Sequence, residues 1–248
     1  MKFIFSFLLT LVSLTLFCQK DNYEVAKKEF EKFIFSSDSI KIQNIKNEKF
    51  ENISEIFQYN QIVSRELDFD LKEIAFNVTY SYKFKNSFRY PNAKIYLFYC
   101  KNKIVNRIIS YEGENVKISI KSDPEIDNYI NVHNSFYNTK TTLENFLKDF
   151  LDEKTYGDGC GFAMIKIKEI DNIERDNVEN ADKYIEWMKS YNPELQMWGY
   201  SEIEKLLKKN LIELESDELK IYNHIKERNL VIETCSGCTF GIFKKVFK

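Results

Sequence analysis

"EIAFNVTYSYKF", Glu73 to Phe84, is the stretch that decides the fold. Ile74, Phe76, Val78, Tyr80, Tyr82 and Phe84 alternate with Glu73, Ala75, Asn77, Thr79, Ser81 and Lys83. A period of two collects the apolar set on one face of a pleated strand, which a helix cannot do. Working forward, "AKIYLFYC" (93–100) is apolar on both faces, as a central strand covered on each side would be. "KNK" turns into "IVNRIISY", and "EGEN" turns again into "VKISIK". Four consecutive strands joined by short polar turns predict an antiparallel meander.

Working backward, Tyr23, Ala26, Phe30 and Phe33 fall at helical spacing, and Asp21 with Glu24 resembles a capping box. This leading helix is expected to cover one face of the meander. "SSDS" (36–39) reads as a turn, and residues 40–71 carry only a weak pattern, read as short strands with a turn of helix.

The pattern changes near residue 122. Asp123 before Pro124 starts a helix over 124–132. Thr141 and Glu144 form a capping box ahead of the stripe Leu143, Phe146, Leu147, Phe150 and Leu151. "YGDGCG" (156–161) is a glycine loop and "FAMIKIKEI" (162–170) a strand. Three helices follow, at 177–190, 194–208 (Asn192 as cap, Pro193 first) and 217–227 (Ser216 as cap). "LVIET" (230–234) is a last strand. The fold class is α+β, an N-terminal helix on an antiparallel meander followed by a mainly helical C-terminal half. The expected divisions are 1–18, 19–121 and 122–248.

Lys2 is followed by "FIFSFLLTLVSLTLF", uncharged from Phe3 to Phe17. A spanning helix needs about 20 apolar residues. A shorter run behind one positive charge has the layout of a secretory signal peptide, which a cut before Gln19 would remove. Lipid attachment at Cys18 to the outer envelope is the alternative, with Phe17 where a small residue is usual. Both routes lead outside the cytosol, the first to a secreted or periplasmic location, with no transmembrane segment once the leader is gone. With 36 Lys+Arg against 38 Asp+Glu, the chain offers nucleic acid no basic stripe.

An exported chain's cysteines are read first as disulfides. Cys100, Cys160, Cys235 and Cys238 allow three pairings. Long loops constrain the unfolded chain most, so a link from Cys160 to Cys235 or Cys238 would fasten the tail, at roughly 3 to 5 kcal/mol. Cys100, ending a central strand, is the candidate for a free buried thiol. "CSGC" (235–238) also invites a redox reading, which needs a helix after it to lower the thiol pKa, and "FGIFKKVF" (240–247) is the segment that would form one. The cysteine spacings of 60, 75 and 3 are not those of paired zinc knuckles. His133, following its helix, and His224, on the 217–227 helix, read as surface or half-buried histidines. No metal or cofactor is expected.

"YGDGCGF" resembles the nucleophile segment of the NlpC/P60-type cell-wall peptidases, in which an Asp-Cys-Ser-Gly turn opens a helix and a histidine follows. The resemblance implies Cys160 as nucleophile and His224 as base. Gly159 stands where the aspartate should be, Gly161 where the serine should be, and a strand is expected where the helix should open. No phosphate-binding loop, Gly-x-Ser-x-Gly elbow or dinucleotide fingerprint is present. Tyr80, Tyr82, Tyr90, Tyr96, Tyr99 and Tyr111 could stack on a sugar or peptide, but their alternation fits core packing better. The function expected is an exported, non-catalytic binding, inhibitory or envelope-associated protein, stabilised by disulfides, with an unknown protein or cell-envelope component as partner. The alternative is a thiol-dependent enzyme, either a hydrolase on Cys160 and His224 or a redox protein on Cys235 and Cys238.

Overall fold

The computed structural model describes residues 23–111, 123–151, 155–157, 173–236 and 239–247. The leader, Asp21, Cys18, Cys160, Cys238 and the expected strands at 116–121 and 162–170 lie outside these residues. The fold is α+β, with an antiparallel sheet of five strands and a mainly helical C-terminal half.

Helix α1 spans residues 23–36. Asp38 caps a short helix α2, Ser39–Gln43, by accepting the Lys41 N–H at 2.8 Å, so "SSDS" starts a helix as well as a turn. Strands β1 (Glu55–Glu66), β2 (Leu71–Phe84), β3 (Ser87–Arg89), β4 (Asn92–Cys100) and β5 (Lys103–Tyr111) follow. The sheet order is β1-β2-β4-β5, with β3 paired to β2, which makes "AKIYLFYC" a central strand. The β4–β5 turn uses Lys101 and Asn102 at φ 48° and 66°, the paired positive φ of a tight hairpin. β1 corrects the weak reading of 40–71: one 12-residue strand stands where short strands were expected. Its residues are exposed on both faces over much of its length, so no alternation marked it.

Two compact units divide the chain, and strands contribute to both. The first comprises described residues up to Ile62, with Ile74–Leu97 and Asn106–Tyr111. In it Ala26, Phe30 and Ile34 of α1 are fully buried, as are Val78, Tyr80 and Ile95 of the sheet. Phe30 stacks on Tyr80 at 4.7 Å, and the Lys27 ammonium sits 4.3 Å from the centre of the Tyr111 ring. That contact lets a lysine occupy the helix's inner face, its stem in the core and its charge over a ring.

The second unit holds Val63–Glu73, Phe98–Val105 and the described residues from Asp123 onward. Its helices are α3 (Pro124–Tyr137), α4 (Leu143–Leu151), α5 (Ala181–Met188), α6 (Pro193–Lys208) and α7 (Ser216–Arg228). Asp123 and Asn192 cap α3 and α6 as their sequences predict, each with proline in the first turn. α3 runs to Tyr137, five residues beyond the expected end, which puts His133 inside the helix. Thr142 and Asn145, rather than Thr141 and Glu144, make the reciprocal cap of α4. Thr141 is engaged instead with Asn134 and Tyr191. Glu215, with Glu218 accepting its N–H at 2.9 Å, caps α7 in place of Ser216. A short 3-10 turn (Val178–Asn180) precedes α5.

Strands β6 (Val231–Ser236) and β7 (Thr239–Lys245) form an antiparallel hairpin. β7 occupies the segment in which the redox reading of "CSGC" would need a helix. Thr155 to Gly157 runs beside β6, with Tyr156 donating its N–H to the Glu233 carbonyl at 2.9 Å. Trp198 of α6 donates its indole N–H to the Thr155 carbonyl at 3.1 Å, fixing that segment.

Candidate functional site

The ionisable groups with the most perturbed chemistry gather in the second unit, and perturbed groups are where function is sought first. The β1–β2 turn presents Asp68, which is 4 % exposed. The turn places Phe69 and Asp70 at φ 49° and 63°. A phenylalanine rarely adopts that conformation, and packing holds it there. The Phe69 ring lies 5.4 Å from Phe136 and stacks on His224 at 5.9 Å.

His224 and Arg228 stand four residues apart on α7, hence on one face. His224 Nε2 meets Asp68 Oδ1 at 2.8 Å, and Arg228 Nη1 pairs with Asp68 Oδ2. Tyr137 of α3 donates its hydroxyl to Asp68 Oδ2 at 2.6 Å. Gln196 of α6 closes the ring, its Oε1 accepting from Arg228 at 2.5 Å and its Nε2 donating to Tyr137 at 3.2 Å. Burial alone would raise the Asp68 pKa. The His224 hydrogen bond, the Arg228 charge and the Tyr137 hydroxyl outweigh it and hold the carboxyl at about 2. Burial pushes the Tyr137 phenol well above its ordinary range.

A second buried cluster centres on Arg65 near the end of β1. Its Nε donates to Glu73 at 2.6 Å and its Nη1 to Glu194 at 2.5 Å and to the Val231 carbonyl at 3.1 Å. Glu194 also accepts the Glu233 N–H at 2.7 Å. One guanidinium therefore holds β1, the start of β2, the first turn of α6 and β6 together. Burial lowers the Arg65 pKa, but the Glu194 and Glu73 charges raise it further, so it stays charged. Glu73 is raised by its burial against the pull of Arg65.

His133 is 1 % exposed, correcting the surface or half-buried reading. Its ring lies 3.9 Å from Tyr191 and 4.4 Å from Tyr137. Neither ring nitrogen has a side-chain partner among the described residues. Burial lowers its pKa to about 4, with Asp68 opposing, so the ring is neutral near neutral pH. The cleft it shares with Asp68, Gln196 and Arg228 holds essentially no volume open to a water-sized sphere, far below the roughly 300 Å³ of ordinary small-molecule sites. A shallower groove of about 320 Å³ runs past Asn145, Asp149, Lys183 and Tyr191. There Asp149 is already bonded to the Ser190 hydroxyl at 2.7 Å and the Tyr191 N–H at 3.0 Å.

His224 is thus half-buried and oriented by a carboxylate. Cys160, its expected nucleophile, lies outside the described residues, as does Cys238. Cys235 stands on β6, while Cys100, at the end of β4, is free. Burial, then Glu125, raises the Cys100 thiol pKa. Gly157 is required beside Cys235, since a Cβ there would lie 2.9 Å from its Sγ. Of the tyrosines considered for stacking, Tyr80, Tyr82, Tyr99 and Tyr111 are buried, Tyr96 is half-buried and Tyr90 is 53 % exposed.

Asp68, Arg65, Glu73, Glu194 and Arg228 were not legible as a set. The His224/Arg228 spacing on one helix face was the only local hint. Among the described residues no group of His, Cys, Asp and Glu is arranged to hold a metal ion, and no helix is long and apolar enough to cross a membrane. No family model matches this chain, and no curated protein or solved structure shows significant similarity to it.

Proposed function

We propose that the protein is exported and acts without catalysis, as a binding or inhibitory module for another protein or a cell-envelope component. The observation that carries this reading is the saturation of Asp68. Its carboxylate takes His224, Arg228 and Tyr137 at once. Arg65 is likewise taken up by Glu73 and Glu194. Groups satisfied by one another stabilise a framework and leave little for a substrate. A disulfide from Cys160 to Cys235 or Cys238 completes that framework in an oxidising compartment.

Intact mass spectrometry of the protein from its native host, with and without reduction and alkylation, tests the reading. The expected result is a chain starting at Gln19 with Cys160 and one of Cys235 and Cys238 protected until reduced. A chain starting at Met1 removes the export premise, and a lipid on Cys18 shifts the location to the outer envelope.

A second reading has one observation in its favour. A thiol hydrolase needs a histidine base oriented by a third group, and Asp68 at 2.8 Å from His224 Nε2 is such a group. Fast alkylation of Cys160 without reduction would bring this reading forward.

A further inference from the structure

We infer that the tip of the β2–β3 hairpin, with Phe57 of β1, docks on an anionic lipid bilayer. Its cations meet the headgroups and its rings sit at the interface. The inference names one envelope component for the binding module proposed above, and rests on that reading for access to such a surface.

The chain as a whole is close to neutral, but its charge is unevenly spread. Between Glu73 and Glu112 there is no acid, against seven lysines and arginines. Three of these, Lys83, Lys85 and Arg89, fall at the hairpin tip, and all three are exposed. The strands pair with Lys83 opposite Phe88 and Tyr82 opposite Arg89. Lys85 stands in the connecting turn at φ 54°, where glycine or asparagine fits best, so the lysine is not there for the turn's sake. Arg89 and Lys85 lie 5.3 and 5.7 Å from the centre of the Phe84 ring. Among the described residues none of the three cations enters an ion pair.

Cations alone would make an ordinary solvated turn. Here Phe57, Phe88 and Tyr90 are 61 %, 51 % and 53 % exposed, and no other described aromatic side chain is exposed. Phe57 meets Tyr90 at 5.3 Å, and Phe88 is two residues from Tyr90. Aromatic rings beside unpaired cations match the boundary of a bilayer, where rings settle at headgroup level and anionic lipids attract lysine and arginine. The Phe57 and Tyr90 planes are inclined by 62°. They form no flat platform on which bases or sugar rings would stack, which favours lipid over another polyanion.

Co-sedimentation of the full mature chain with vesicles tests this. The protein should bind mixed phosphatidylglycerol–phosphatidylcholine vesicles, ignore pure phosphatidylcholine and detach as salt rises. Lys83→Gln, Lys85→Gln and Arg89→Gln should each weaken binding about fivefold, with an unchanged circular dichroism spectrum. Phe88→Trp places a reporter at the tip, since Trp187 and Trp198 are buried. Its emission should shift to the blue on the mixed vesicles. No binding to those vesicles at low salt overturns the inference, as does binding that survives all three glutamines together. Preference for heparin or a single-stranded oligonucleotide, with no blue shift on vesicles, overturns it in favour of another polyanion. Export is read separately, from the mature N-terminus, so failure on vesicles leaves that reading standing.

Discussion

His133 lies flat against Tyr191, ring centroids 3.9 Å apart and planes inclined by 28°, with Tyr137 on another side at 4.4 Å. A neutral imidazole packs between phenol rings at little cost, but an imidazolium there would be a desolvated charge. The folded pKa near 4 lies below the ordinary 6.5, so the unfolded chain takes the proton first. Stability is therefore unaffected above pH 6.5 and is lost as pH falls from there towards 4. At pH 5 the loss should be on the order of 2 kcal/mol. Urea unfolding of wild type and His133→Phe at pH 7 and pH 5 checks this. The variant should lose less stability between the two, and equal losses would remove His133 as the acid-sensitive group.

Asp68 acts lower on the pH scale. Its folded pKa near 2 is below the ordinary 3.8, so its contribution is complete above 3.8 and disappears as pH falls towards 2. Asp68→Asn should cost about 3 kcal/mol at pH 7, because Arg228 and His224 lose their anion in a mostly buried setting. The cost should fade below pH 3, where the wild-type carboxyl is itself protonating. An Asp68→Asn penalty that does not change with pH would mean that packing of the turn, rather than charge, is what the aspartate supplies.

How much of this was legible follows from how far apart the partners are. β2 could be read because its two faces differ in polarity, and α6 because Asn192 and Pro193 sit at its start. β1 could not, because an edge strand exposed on both faces has no polarity contrast to display. The α4 cap moved by one residue because Thr141 was claimed by Asn134 and Tyr191, a tertiary effect that a local motif does not contain. Asp68 and His224 are 156 residues apart in the chain, and Arg65 and Glu194 are 129 apart. In the sequence each reads as an ordinary charged residue in a turn, strand or helix. Only the fold makes them a cluster.

Gly199 offers a test in which the expected sign is reversed. In an exposed helix interior, replacing glycine by alanine stabilises by about 1 kcal/mol. A Cβ at Gly199 would lie 2.4 Å from the Tyr184 carbonyl oxygen and 2.8 Å from the Met188 nitrogen, both backbone atoms of α5. The two helices would have to move apart, at a cost of roughly 1 to 3 kcal/mol. Thermal unfolding of Gly199→Ala should show a lowered midpoint. An unchanged or raised one would mean that α5 and α6 are not packed this closely in solution.

Arg65 carries the largest expected effect, because two carboxylates depend on one guanidinium. Arg65→Met keeps much of the side-chain volume but leaves Glu73 and Glu194, 2 % exposed each, facing one another without a cation. Breaking a buried ion pair from one side costs about 3 to 5 kcal/mol. Burial already raises the Glu73 carboxyl against the pull of Arg65, and without the arginine that pull is gone. Its protonated form would then favour the fold, and that favour is lost as pH rises. The Arg65→Met deficit should accordingly be large at pH 7 and shrink towards pH 4. Adding Glu73→Gln and Glu194→Gln removes both charges and should recover part of the stability at pH 7. Urea midpoints of the single and triple variants at both pH values separate the alternatives. If the triple variant is no more stable than Arg65→Met at pH 7, the cluster holds the strands and α6 together by the shape and hydrogen bonds of the guanidinium, and the buried charges are not the source of the loss.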